Sequence, residues 1–360
     1  MLESIYVGMT GLLGFSRGLR VIANNTANLN TPGFKSSSVQ FSDLFYTGGN
    51  LDGGVTGRNP DQLGFGLNTL GTSLSFKQGE LRQTGNELDL GVDGQGLFIL
   101  QDDDGELSYS RAGQFGFNTA GVLVSRGNGA KVMGMGSDGS FAPITLTGQM
   151  ANSGQATTRV KFTGNLSSTT TSQTVGSVKV IDPAGTEHTL SLVFSSTDPA
   201  NPGRYWRVDV QEGGASVGSG QISFSDGRPV AGASSFSIQY APAGQAGTPL
   251  TFDFGTDVTA FASGTLSTLA MSSQDGIGPG ALTSATFDAT GALVLGYSNG
   301  QNVTGPHLAL ARFDTPDAVI AKGANEFAIG DGDAWHFGVA GEGAFGKVRS
   351  GVVEISNVDL

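Results

Sequence analysis

Apolar residues fall in two different rhythms along this chain. Near the N-terminus Ile5, Met9, Leu12, Leu19 and Ile22 are separated by four, three, seven and three residues, the 3-4 spacing that lines one face of an amphipathic or coiled-coil helix. Beside that stripe Gly8, Gly11, Gly14 and Gly18 also fall three or four apart, so they share a neighbouring face on which another backbone could approach closely. Glycine inside a helix costs about 1 kcal/mol against alanine, so this helix is not expected to hold on its own in water and needs a partner. Asn24, Asn25, Asn28 and Asn30 offer side chains that compete for local backbone groups, and Thr31-Pro32-Gly33 then forbids further helix.

Farther on the rhythm becomes two. Leu74 and Phe76 alternate with Ser73, Ser75 and Lys77, and Leu88, Leu90 and Val92 lie two apart, which predicts a half-buried strand. The continuous run Leu97 to Leu100 predicts a strand buried on both faces, and Asp102-Asp103-Asp104-Gly105 a hairpin turn into Ser108 to Gly113. Gly94, Gly96, Gly113 and Gly121 are expected at positive φ or at close backbone approaches. Between Ala151 and Thr174 the composition shifts to Ser, Thr, Gln and Gly, which marks a domain crossing, with Val160 and Phe162 on a short strand leading into it. Alternation then returns at Leu190, Leu192 and Phe194, at Trp206, Val208 and Val210, at Phe236, Ile238 and Tyr240, and at Leu250, Phe252 and Phe254. Turns at Asp182-Pro183-Ala184-Gly185 and Ser225-Asp226-Gly227 separate short strands of this kind, which predicts a sandwich or barrel. By contrast Gly48 to Gly71 reads as loop.

The fold class is therefore mainly β: an N-terminal helix over 1–30, a glycine-rich connector over 31–71, and two β-domains. The first spans 72–150 and 278–360, and the second, 151–277, is inserted into it.

Composition narrows what such a chain can do. Glycine accounts for 58 of 360 residues and charged residues for only 14%, against roughly 25% in ordinary globular chains. That suits antiparallel β architecture or an extracellular polymer better than a cytosolic enzyme. A formal charge of -12 offers no basic face for nucleic acid. Without cysteine there are no disulfides, thiolate metal sites or cysteine nucleophiles. Glu3 and the interrupting glycines do not fit a Sec signal, and no apolar run reaches the roughly 20 residues that span a bilayer.

Candidate chemistry is thin. Gly64, Gly66 and Gly71 have the wrong spacing for a phosphate loop, and no Lys-Ser/Thr follows. Asp102, Asp104 and Glu106 lack the sixth-position glycine of a calcium loop. His188, His307 and His336 lie in separate strand-like segments, none with a second histidine or carboxylate at metal-ligand spacing. Asp331 and Asp333 fit a solvated turn. The expectation is a non-enzyme with no catalytic residue, no metal and no cofactor.

One stretch is more specific. Val21 to Lys35, VIANNTANLNTPGFK, resembles the N-terminal signature of the bacterial flagellar rod and hook family, where a helix leads through asparagines into a turn ending Gly-Phe-Lys. The order TGNELDLGVDGQGLFIL and SYSRAGQFGFNTAGVLVSRGNGAKVMGM resembles the family's first β-domain. Ser273 to Gly280, Phe287 to Gly291 and Gly296 to Gln301, followed by His307 to Phe313, resemble the segment by which the chain returns to that domain in the hook members, and the short rod members lack so large an insert.

The resemblance implies a subunit that polymerises with itself into the extracellular hook, a flexible torque-transmitting tube used in motility. It also implies export by the flagellar type III apparatus and contact with rod, hook-cap and hook-filament junction proteins. Assembly would rest on Ile5, Gly8, Met9, Gly11, Leu12, Leu19, Ile22, Asn24, Asn25, Asn28, Pro32, Gly33 and Phe34. Gly351 to Leu360 resembles the segment before the family's C-terminal helix, which pairs with the N-terminal one. With the chain stopping at Leu360, the stripe is expected to lack that partner. A distal rod subunit and an extracellular binding or adhesin module are the competing readings.

Overall fold

The computed structural model describes residues 2–47, 63–136, 138–198, 200–330 and 332–359. The loop expected over 48–62 and the turn carboxylate Asp331 lie outside the described residues. Two compact units emerge, one from Met1–Gly148, Ser284–Leu295 and Asn302–Leu360, the other from Gln149–Thr283 and Gly296–Gln301. The fold is mainly β, with a single α-helix among the described residues.

In the first unit that helix runs Leu2–Ala27. Asn24 and Asn25 are inside it rather than beyond it; Asn28 donates from its backbone N–H to Asn24 O at 3.2 Å and from its side chain to the same carbonyl at 2.9 Å, which closes the last turn. Next comes a strand, Ser37–Asp43, paired antiparallel with Leu67–Leu74. The reading of 67–71 as loop is therefore corrected. Leu67 and Leu70 have too many glycines and threonines around them to show a rhythm, but the ladder to Ser37–Asp43 satisfies their backbone.

The body of this unit is an antiparallel sheet. Leu97–Gln101 pairs with Leu107–Ser110 across the acidic turn, with Lys131–Met135 and with Asn302–Phe313. Leu97, Phe98, Ile99 and Leu100 are all buried, as the unbroken apolar run predicts. Leu97, Ile99, Tyr109, Met133, Phe327 and Trp335 share one core cluster. The half-buried strand expected at Leu88 to Val92 is corrected in two ways. Leu88 sits in a turn, and the strand Leu90–Asp93 is covered on both sides up to Val92. Its polar-looking gap, Gly91, faces Leu81 and Val352, so that an added Cβ would lie only 2.9 and 3.0 Å from them.

The second unit has two packed sheets. One is a meander of Ser172–Ile181, Glu187–Ser196, Tyr205–Glu212, Ala215–Ser225 and Arg228–Pro229. The other holds Ser235–Tyr240, Thr248–Asp253, Arg159–Asn165 and Val258–Thr259, with Ala270–Gln274 antiparallel to Arg159–Asn165. Leu190, Leu192, Phe194, Trp206, Val208 and Val210 from the first sheet meet Val160, Phe162, Leu250, Phe252 and Phe254 from the second in one buried cluster. That is a sandwich, with Arg207, Asp209 and Gln211 on the outer side of the same strand.

Candidate assembly interface

The helix lies against the strands Ser37–Asp43 and Leu67–Leu74 through its glycines. Gly14 is buried, and a Cβ there would run into Leu67 at 2.5 Å and meet Phe41 at 3.3 Å; at Gly18 it would meet Phe41 at 3.7 Å. Thr10 Oγ accepts from the Leu67 N–H at 3.2 Å, and Arg17 donates to Thr69. Half of the glycine stripe is thus a notch for side chains of the same chain. Gly8 and Gly11 face open space, so the stripe does not act as one surface.

The apolar stripe turns the other way. Ile5, Met9, Leu12, Leu19 and Ile22 are 66%, 50%, 73%, 66% and 57% exposed, and Tyr6, Leu13 and Phe15 are exposed with them. Large side chains gain about 1.5–3 kcal/mol each on full burial. A band of eight left in water is far more than the scattered exposed leucines of a finished surface.

The end of the helix is fastened to the β-body by polar groups. Asn25 donates from Nδ2 to Ser37 O at 2.8 Å and accepts the Ser37 N–H at 3.1 Å, the two bonds of a ladder partner. Asn24 is the acceptor that closes the helix, and Asn28 Oδ1 accepts from Thr31 Oγ at 3.2 Å. Pro32 O accepts from Asn325 at 3.2 Å. Gly33 is required: its φ is +74°, its N–H donates to Glu354 O at 2.8 Å, and a Cβ would run into the Ala112 backbone. Phe34 is half-buried, with its carbonyl turned to Asn357.

Sequence reading missed the next layer. Lys35 is buried and gives its ammonium to Glu354 Oε1 at 2.6 Å and to Lys77 O at 2.8 Å, while Arg111 approaches Glu354 Oε2 at 3.2 Å and donates to Val92 O. Burial pulls the Lys35 ammonium below its usual range, Glu354 opposes that, and Arg111 adds to it. The Arg111 guanidinium is likewise lowered by burial and supported by Glu354. Glu354 was detectable only as a charge inside the apolar run Val352, Val353, Ile355. Nothing local tells that Lys35 and Arg111 converge on it.

Among the described residues no group of three or more His, Asp or Glu could hold a metal ion. His188 nevertheless differs from its sequence reading. Asp182 Oδ2 lies 3.1 Å from its Nε2 and Glu212 Oε1 2.7 Å from its Nδ1, so two carboxylates flank a ring that seemed isolated. His336 faces Asp314 at 3.0 Å. No helix among the described residues is long and apolar enough to cross a membrane.

Known proteins are similar to this chain in sequence. The family profile described as flagella basal body rod protein matches residues 5–35, and that described as flagellar hook protein FlgE/F/G D1 domain matches 91–175. Flagellar hook protein FlgE of Escherichia coli is 28% identical over 98% of this chain and 90% of its own. Flagellar basal-body rod protein FlgG of Bacillus subtilis is 35% identical over 43% of this chain and 66% of its own. The solved structure of Helicobacter pylori flagellar hook protein FlgE2 aligns with TM-score 0.47 and 11% identity, covering 74% of this chain and 99% of that one.

Proposed function

The chain belongs to the bacterial flagellar rod and hook family, and from that we propose that it is a structural subunit of the flagellar hook, outside the cell, built to polymerise and not to catalyse. The observation that carries hook over rod is coverage. Likeness to the hook protein runs over 98% of the chain, including the inserted β-unit, whereas likeness to the rod protein spans 43%.

The exposed band on the helix supplies the drive. Each copy displays apolar surface that nothing among the described residues of its own chain covers, and burial becomes available only against neighbours. Contacts between different faces of successive copies do not close on themselves, so they propagate into a helical array, a tube. In this reading Ile5, Met9, Leu12, Leu19 and Ile22 make the contact. Gly8 and Gly11 allow close approach, while Asn24, Asn25, Asn28, Pro32, Gly33 and Phe34 hold the helix at a fixed angle to its β-body. The weakly charged outer strands then slide as the tube bends. Export by the flagellar type III apparatus and contacts with rod, cap and junction proteins are part of the same proposal, which the family likeness supports.

Electron microscopy of the purified chain, with immunogold labelling of flagellated cells, tests this. Curved tubes in vitro and label between rod and filament are expected. Straight tubes with label below the outer surface would favour the rod, and a permanently monomeric protein with saturable ligand binding would overturn the polymer.

A further inference from the structure

The chain carries a formal charge of -12, so copies brought side by side repel one another. Its first 35 residues run against that balance, with one acid, Glu3, and three bases, Arg17, Arg20 and Lys35. Lys35 is buried with Glu354, which leaves Arg17 and Arg20 as the basic groups at the surface of this segment. Both edge a groove of about 380 Å³ where the helix meets the strands Ser37–Asp43 and Leu67–Leu74, walled by Val39, Thr69 and Gly71, and no carboxylate lines it. Among the described residues neither guanidinium is paired with an acid.

The densest run of acid in the sequence is Asp102-Asp103-Asp104 with Glu106. It forms a hairpin tip held rigid from within, Glu106 N–H donating to Asp102 Oδ1 at 2.8 Å and Asp102 N–H to Glu106 O at 3.1 Å. Two of its carboxylates have a lysine of the same chain beside them, Glu106 with Lys322 at 3.1 Å and Asp103 with Lys131. Asp103 is 99% exposed beside Lys131 at 3.5 Å, and Asp104 is exposed with no cation in reach among the described residues.

We propose that the Arg17–Arg20 groove receives the Asp103–Asp104 hairpin tip of a second copy of this chain. The inference rests on the polymer reading above and adds a polar register to its apolar contact. Exposed ion pairs contribute little to affinity, whereas complementary patches raise the rate of encounter and fix which copy meets which face. Charge reversal therefore acts chiefly on growth rate at low salt.

The test measures elongation of preformed seeds by the full chain. Arg17→Glu with Arg20→Glu, and separately Asp103→Arg with Asp104→Arg, should each slow growth about tenfold at low salt, with the difference vanishing near 0.5 M salt, where the Debye length is only a few ångströms. An equimolar mixture of the two double variants should regain most of the rate, because each then offers what the other lacks. Wild-type growth by either double variant, or a mixture no faster than its components while circular dichroism shows both folded, overturns the contact and leaves the hook reading standing. Wild-type chain that never elongates overturns both.

Discussion

The inserted sandwich and the N-terminal helix answer the same kind of sequence signal in opposite ways. In the sandwich Leu190, Leu192, Phe194, Leu250, Phe252 and Phe254 recur with a period of two and end up sealed between two sheets. In the helix Ile5, Met9, Leu12, Leu19 and Ile22 recur with a period near 3.5 and end up facing water. Periodicity says which face is apolar; it does not say what covers that face. The sandwich completes itself because a second sheet is available in the same chain. Among the described residues the helix has on its flank one short pair of strands that fills a glycine notch at Gly14 and leaves the stripe uncovered. A folded body and an unfinished helix are what a subunit needs if it is to remain soluble singly and become stable collectively.

The comparison breaks most visibly at the stripe. Leu12→Asp or Leu19→Asp should lower tube formation at least a hundredfold, since each copy would bury a carboxylate in the array without a partner, while the melting of the sandwich stays where it was. Tubes of normal yield from either variant would show that the exposed band is not the contact. The reverse experiment removes a sealed residue. Phe252→Ala, at 0% exposure, should cost about 3–5 kcal/mol in unfolding of the sandwich and leave amide exchange in the helix untouched. Equal loosening of both regions would mean that they do not behave as separate units.

Between these extremes lies the fastening of the helix to its body. Glu354→Gln leaves Lys35 and Arg111 charged and buried with no counter-charge, which should destabilise the first unit by about 3 kcal/mol. Replacing Lys35, Arg111 and Glu354 together by Met, Met and Leu should recover most of that, because no ion is then left desolvated. A triple variant as unstable as Glu354→Gln would put the cost down to packing and not to charge.

These sites also show how far a sequence can be read. Leu97 to Leu100 announces burial by being unbroken, and Leu190 to Phe194 announces a strand face by alternating. The signature around Gly33 is legible because only glycine tolerates φ of +74° with Ala112 so near. The fastening is not legible. Lys35 and Glu354 lie 319 residues apart, and no local preference of either hints at the other. The strand pair Ser37–Asp43 and Leu67–Leu74 stays hidden for a related reason: its halves are polar, weakly periodic and separated by a long glycine-rich stretch. Leu88 misled because alternation of two residues with Leu90 looks the same whether the first is in the strand or in the turn before it.

The smallest expected effect is a pH dependence confined to the sandwich. His188 sits between Asp182 at Nε2 and Glu212 at Nδ1, Tyr240 donates to the far oxygen of Glu212 at 3.0 Å, and Gln245 Nε2 donates to Asp182 at 2.5 Å. A neutral imidazole has one N–H and can serve one carboxylate; the imidazolium serves both. Partial burial pulls the ring down, but its hydrogen bonds and proximity to Asp182 and Glu212 outweigh that and raise it above 6.5. Burial pushes Asp182 up, and the Thr186 N–H, His188 and Gln245 together bring it below 3.8. A raised histidine stabilises the fold fully below its unfolded value and loses that contribution as pH climbs through the folded one. A lowered carboxylate loses its contribution as pH falls through its own folded value. Between about pH 4 and 6.5 both are present. Urea unfolding of the full chain, followed by Trp206 in a Trp335→Phe background, should therefore show the sandwich about 1 kcal/mol less stable at pH 9 than at pH 6, and His188→Gln should flatten that slope. If the slope survives in His188→Gln, or if stability rises towards pH 9, some other group titrates and the paired carboxylates hold a neutral ring.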